Sequence, residues 1–230
     1  MPKPIKKKVV KKTTTEIEVK GVISRLKNYA GQNKNVFIGA IGALVISAAA
    51  ITGFFIYSGD TKNKAENLTY EAYKIYYGLY QKQPITKEEQ YKKAAEIFKK
   101  AYDTKKSPVS LYYIANCYYE MGKYEDALNT LKELNQKFPD DERFVPLSYY
   151  KMAMVSLKKG NSDEALKFLD ILYNYKTGAY KDLSLLETGK ILDAIGKAED
   201  AKKKYEELTK TFPQSPFIEE ARGRIGEKKS

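Results

Sequence analysis

Residues 111–139 read LYYIANCYYEMGKYEDALNTLKELNQKFP, and the spacing inside this stretch decides the fold. Two small residues, Ala115 and Ala127, stand twelve positions apart. Gly122 lies five before the second of them, Leu131 four after it, Leu134 seven after it and Pro139 twelve after it. The same spacing returns with Ala153, Gly160, Ala165, Leu169 and Leu172, and again with Gly189, Gly196, Ala201, Tyr205, Leu208 and Pro213. In the middle copy Thr177 stands where the proline falls in the others, and a weaker earlier copy reads Tyr91, Ala94, Phe98 and Ala101. Ala94, Ala127, Ala165 and Ala201 follow one another at 33, 38 and 36 residues, a period that marks a repeat architecture.

Each feature of the period has a physical reading as one helical hairpin. Facing small residues let two helices approach closely. The glycine takes the left-handed conformation that ends the first helix. YEDA, SDEA and AEDA then put carboxylates at the start of the second helix, where the helix dipole favours negative charge. Proline stops that helix before the next hairpin. No single hairpin buries both of its faces, so about four of them gain stability by stacking. The predicted class is all-α.

Composition narrows the chemistry. The 230 residues include no His and one cysteine, Cys117. An imidazole metal site, a Ser-His-Asp triad, a thiolate zinc cluster and an intramolecular disulfide are therefore all excluded. None of the 14 glycines falls in a phosphate-cradling GxGxxG or GxxxxGK[ST] loop. The chain reads as a non-enzyme, and no cofactor or metal is expected. Of the net charge of +12, residues 1–35 carry +8, from nine Lys and Arg25 against Glu16 and Glu18. The other 195 residues hold +4 on a mixed surface, which opposes a phosphate-tracking stripe and hence nucleic acid.

The basic segment precedes Val36 to Tyr57, VFIGAIGALVISAAAITGFFIY, 22 residues without a charge. At about 1.5 Å per residue the run reaches about 33 Å, enough for a hydrocarbon core of about 30 Å. A cleaved signal peptide would have an apolar region of about 7–15 residues followed by small side chains. Here the run is longer and ends in Phe54, Phe55, Ile56 and Tyr57. An uncleaved anchor is expected. Ten basic residues before the span, against Ser58-Gly59-Asp60 after it, keep 1–35 in the cytoplasm and send 58–230 across the membrane. Lys3, Lys6, Lys7, Lys8, Lys11 and Lys12 suit a disordered arm drawn to anionic lipid headgroups. The stretch with Val19, Val22, Ile23, Leu26 and Ala30 on one helical face reads either as a short juxtamembrane helix or as a linker. Gly39, Ala43 and Ser47 recur every four residues, a transmembrane packing face or simply the ordinary small-residue content of such a helix.

Leu111, Ile114, Ala115, Tyr118, Gly122, Tyr124, Ala127, Leu131, Leu134 and Pro139 together resemble a tetratricopeptide repeat. The repeats starting near Pro146 and Asp182 fit less fully, Ser156 replacing an aromatic residue. The resemblance spans roughly residues 65–226 and implies a right-handed α-solenoid after the membrane helix. Basic arm, single span and exported repeat domain together resemble the YfgM-like family of ancillary subunits of the SecYEG translocon. That resemblance implies a bacterial inner-membrane protein with a periplasmic repeat domain. Its partners would be the translocon, periplasmic chaperones or newly exported clients. Other envelope proteins share the repeat, among them assembly lipoproteins, which would need an N-terminal lipidated cysteine, and cell-division coordinators. An import-receptor-like protein with a cytosolic repeat domain is a further reading, opposed by the charge bias.

Stacked repeats line a groove with first-helix side chains. Here these are Tyr112, Asn116 and Tyr119, then Tyr150, Met154 and Leu157, then Leu183 and Leu186. Such a tyrosine-rich apolar groove suits hydrophobic side chains of an extended or helical segment. Repeats that clamp a C-terminal carboxylate use Lys and Asn on this face, whereas Tyr112 and Tyr150 stand where the lysine is expected. The opposing expectation is that the C-terminal helix or repeat packing covers the face. Cys117, without a His to activate it, reads as a buried structural thiol. Asp140-Asp141 and Glu219-Glu220 read as caps and solvated charge.

Overall fold

A computed structural model describes residues 14–79 and 85–226. The lysines of the N-terminal arm, Lys3 to Lys12, lie outside the described residues. The chain divides into two compact units, Met1–Gly59 and Asp60–Ser230.

In the first unit, helix α1 (Thr14–Gln32) occupies the stretch that the sequence left between helix and linker, with Val19, Val22, Ile23 and Leu26 exposed. Helix α2 (Lys34–Tyr76) begins with the apolar run and is long and apolar enough to cross a membrane. Within it Ser47 Oγ donates to the Ala43 carbonyl at 2.8 Å, and Thr52 Oγ1 to the Ala48 carbonyl at 2.8 Å. Hydroxyls satisfied inside their own helix suit a segment surrounded by lipid. A Cβ placed on Gly39 would meet no atom within 4 Å.

Helix α2 does not stop at Tyr57. Its last turns supply Ala65, Ala72, Tyr73 and Tyr76 to the second unit, where they act as the first helix of the earliest hairpin. Its partner is α3 (Lys87–Thr104), opened by a capping box in which Thr86 Oγ1 accepts from the Glu89 amide at 3.1 Å. Gln90 Nε2 donates to the Tyr76 carbonyl at 2.7 Å and ties the two helices. Three further hairpins follow: α4 (Pro108–Glu120) with α5 (Tyr124–Lys137), α6 (Phe144–Lys158) with α7 (Ser162–Tyr173), and α8 (Lys181–Ala194) with α9 (Ala198–Thr211). Helix α10 (Ile218–Ile225) packs on α9, and Lys190 Nζ reaches Glu220 Oε1 at 2.8 Å. No strand occurs among the described residues.

The turn inside each of the three later hairpins is the one that the glycine spacing requires. Gly122 has φ 71°, its amide donates to the Tyr119 carbonyl at 3.0 Å, and the Lys123 amide donates to the Tyr118 carbonyl at 2.8 Å. This Schellman pair recurs at Gly160 and Gly196. Ala115, Ala127, Ala153, Ala165 and Ala201 are all fully buried, the close-contact points that the twelve-residue spacing predicted. Ser156, in place of an aromatic residue, is buried and donates to Glu164 Oε2 at 2.9 Å. Asp141 Oδ1 accepts from the Phe144 amide at 2.7 Å and caps the entry to α6.

Candidate functional site

The end of α2 meets α4 through Tyr73 and Tyr113, α4 packs on α6, and α8 follows against α7; the outward side chains of these first helices form the candidate face. Tyr112 is half-buried, with its ring 5.6 Å from Tyr113 and 5.6 Å from Phe144. Tyr119 is half-buried with its ring 5.9 Å from Tyr124, and Lys151 Nζ stands 4.5 Å from its centroid. Tyr150, Met154 and Leu157 are half-buried against the cluster of Ala153, Ala165, Leu169 and Ile191. Leu183 is also half-buried.

Two positions differ from the expected lining. Leu186, only 1% exposed, belongs to the core cluster with Ala201, Tyr205, Leu208 and Ala221. It occupies the register of Tyr112 and Tyr150, but a leucine is too short to reach past the helix seam as a tyrosine does. Asn116 is 5% exposed, and its Oδ1 has no hydrogen-bond partner. Helix α10 packs against α9 at the end of the stack, with Arg224 Nη1 3.7 Å from Asp193 Oδ2.

Sequence reasoning missed the upstream half of the aromatic row. Tyr73 lies edge-on to Tyr113 at 4.6 Å, Tyr76 to Tyr113 at 5.4 Å, and Phe98 stacks on Tyr113 at 5.3 Å. The hydroxyls of Tyr77 and Tyr113 are 3.2 Å apart. The signal for them in the sequence is the pair Tyr76-Tyr77, at the end of a helix whose apolar run stops at Tyr57.

Burial governs the electrostatics of this face. It raises the pKa of Tyr76, Tyr112 and Tyr113, and that of Tyr150, where Glu187 adds to the effect. Each therefore remains a neutral phenol, apolar in its ring and able to donate or accept a hydrogen bond at its edge. Burial lowers the Lys151 ammonium, opposed by Glu120 nearby. Burial, with Glu120 second, pushes the Cys117 thiol up to about 12, so it stays protonated and unreactive. Among the described residues no three His, Cys, Asp or Glu side chains gather as metal ligands. The face offers contact area and hydrogen-bonding edges.

A family model for the tetratricopeptide repeat-like domain matches residues 27–221. The chain belongs to that family. Among solved structures, this tetratricopeptide repeat chain is similar to nearly identical TPR-like repeats from Podosopora anserina, assigned there to a kinesin light chain. That match has 12% identity and TM-score 0.53, over 71% of this chain and 84% of that one. It is also similar to MamA from Desulfovibrio magneticus RS-1, at 14% identity and TM-score 0.50 over 73% and 87% of the two chains. At such identities the likeness concerns the fold. No curated protein matches the chain. A tetratricopeptide repeat domain is a scaffold for protein–protein contact, and this chain carries that scaffold behind one helix apolar enough to span a membrane.

Proposed function

We propose that the chain is a membrane-anchored scaffold whose repeat domain holds apolar segments of partner or newly exported proteins near the Sec translocon of a bacterial inner membrane. The observation that carries this reading is the row of half-buried rings on the first helices, Tyr112, Tyr119 and Tyr150, continued by Met154 and Leu157. Large rings with few rotatable bonds supply contact area at low entropic cost, the usual chemistry of an interface hot spot. The charge step across Val36–Tyr57 supports a cytoplasmic N-terminus and a periplasmic repeat domain. The lysines of the arm suit anionic headgroups on the cytoplasmic face. Gly39, Ala43 and Ser47 give a second membrane helix a place to approach closely. Affinity purification of the full chain in mild detergent tests the reading: the translocon channel and exported chains should co-purify.

A second reading, a fixed subunit of another envelope complex for assembly or division, is favoured by the burial of Asn116 and Leu186, which narrows the open face. Recovery of one stoichiometric complex without the translocon would select it.

A further inference from the structure

A cavity of about 300 Å³ opens in the second unit between the last turns of α2 and the start of α4, sharing Tyr73 with the upstream end of the aromatic row. Ala65, Thr69, Tyr73 and Val109 line it together with Lys62, Lys105 and Glu66. Its volume is at the lower end of the range for small-molecule sites, about 300–1,000 Å³. It would admit a single chain but not a partner helix, whose diameter is about 10 Å. Chain length bounds the distance from one lining residue, Lys62, to the apolar run. Lys62 follows Tyr57 by five residues, so on any path it lies within about 18 Å of the end of the apolar run. Tyr70, also in the lining, is 63% exposed, with Lys74 Nζ 5.1 Å over its ring. Exposed Tyr and Lys close behind a membrane span are the residue types that settle among headgroups.

We infer that this cavity takes an acyl chain of an anionic phospholipid from the bilayer that holds residues 36–57, with Lys62 and Lys105 facing its phosphate. Glu66 bridges to Lys62 at 3.7 Å through solvent-exposed groups, a weak pair that a phosphate can replace. The inference rests on the membrane reading above and is independent of what Tyr112, Tyr119 and Tyr150 bind.

The chain contains no tryptophan, so one introduced residue reports alone. Full-length Tyr70→Trp, Leu68→Trp on the opposite side of α2, and Leu44→Trp inside the span are each reconstituted in vesicles of phosphatidylethanolamine and phosphatidylglycerol carrying brominated acyl chains. Bromine should quench Tyr70→Trp clearly more than Leu68→Trp, and more as the phosphatidylglycerol fraction rises. Adding Lys62→Gln and Lys105→Gln should weaken that dependence about fivefold for each lysine. If Leu44→Trp is quenched while Tyr70→Trp matches Leu68→Trp, the lipid site is overturned and the membrane reading stands. If Leu44→Trp is not quenched, the membrane reading fails and takes the site with it. Tyr70→Trp emission that shifts with protein concentration and ignores bromine would instead assign the cavity to a second copy of the chain.

Discussion

The ring of Tyr205 fills the space that a side chain at Gly189 would need. A Cβ on Gly189 would stand 2.7 Å from Cζ and 2.9 Å from Cδ1 of that ring, and closer still to Cε1. Tyr205 cannot retreat easily, because it is 1% exposed and its hydroxyl donates to Asp193 Oδ2 at 2.8 Å. Gly189→Ala should therefore cost about 1–3 kcal/mol, the usual penalty of overpacking. A urea titration of the full chain in detergent, followed by helical circular dichroism, should show the midpoint fall.

Ala127 makes the same kind of contact in the second hairpin, where it and Ala115 are fully buried. Ala127→Leu should cost a similar amount, about 1–3 kcal/mol, and lower the urea midpoint. An unchanged midpoint would mean that α4 and α5 do not meet at these two residues.

The three later hairpins were legible in the sequence because their signals are local. A glycine required at positive φ, carboxylates at a helix start and two small residues twelve apart do not depend on the rest of the fold. Of the first hairpin only the second helix was legible, through Tyr91, Ala94, Phe98 and Ala101; its first helix was not, for a reason that Ala65, Ala72 and Tyr76 make plain. They extend α2 beyond a membrane-like run, and hydropathy ends an element where composition changes, not where the helix ends. Leu186 shows the other limit. It shares the register of Tyr112 and Tyr150, but whether a side chain at that register reaches the surface depends on its length and its neighbours. The Tyr113 cluster was hidden because its partners come from three helices, α2, α3 and α4.

Stability should fall in alkali, and the sign follows from burial. In the unfolded chain a thiol ionises near about 8.5 and a phenol near about 10. In the folded chain Cys117 is pushed up to about 12, and Tyr76, Tyr112 and Tyr113 are raised. Between the unfolded and folded values the unfolded state binds fewer protons, so each group loses up to about 1.4 kcal/mol of stability per pH unit. The contribution is complete below about pH 8.5 and is lost as pH climbs toward the folded values. Urea midpoints should decline from the first such step upward, and Cys117→Ala should remove the part that begins before the tyrosines titrate.

The proposed topology, with a periplasmic repeat domain, rests on the charge step around Val36–Tyr57. Protease added outside spheroplasts should digest the repeat domain and leave the N-terminal arm intact. A repeat domain that survives until the inner membrane is lysed would reverse the orientation.

The central claim is that the tyrosine row of the first helices binds apolar segments of other proteins. Tyr112 is wedged between Tyr113 and Phe144, so the variant of choice is Tyr119→Ala with Tyr150→Ala, which leaves that stack in place. A hot-spot residue typically contributes about 2 kcal/mol or more, so the double variant should retain its helical circular dichroism and lose most crosslinks to partner and exported chains. A folded double variant with an unchanged set of crosslinked partners would contradict the claim.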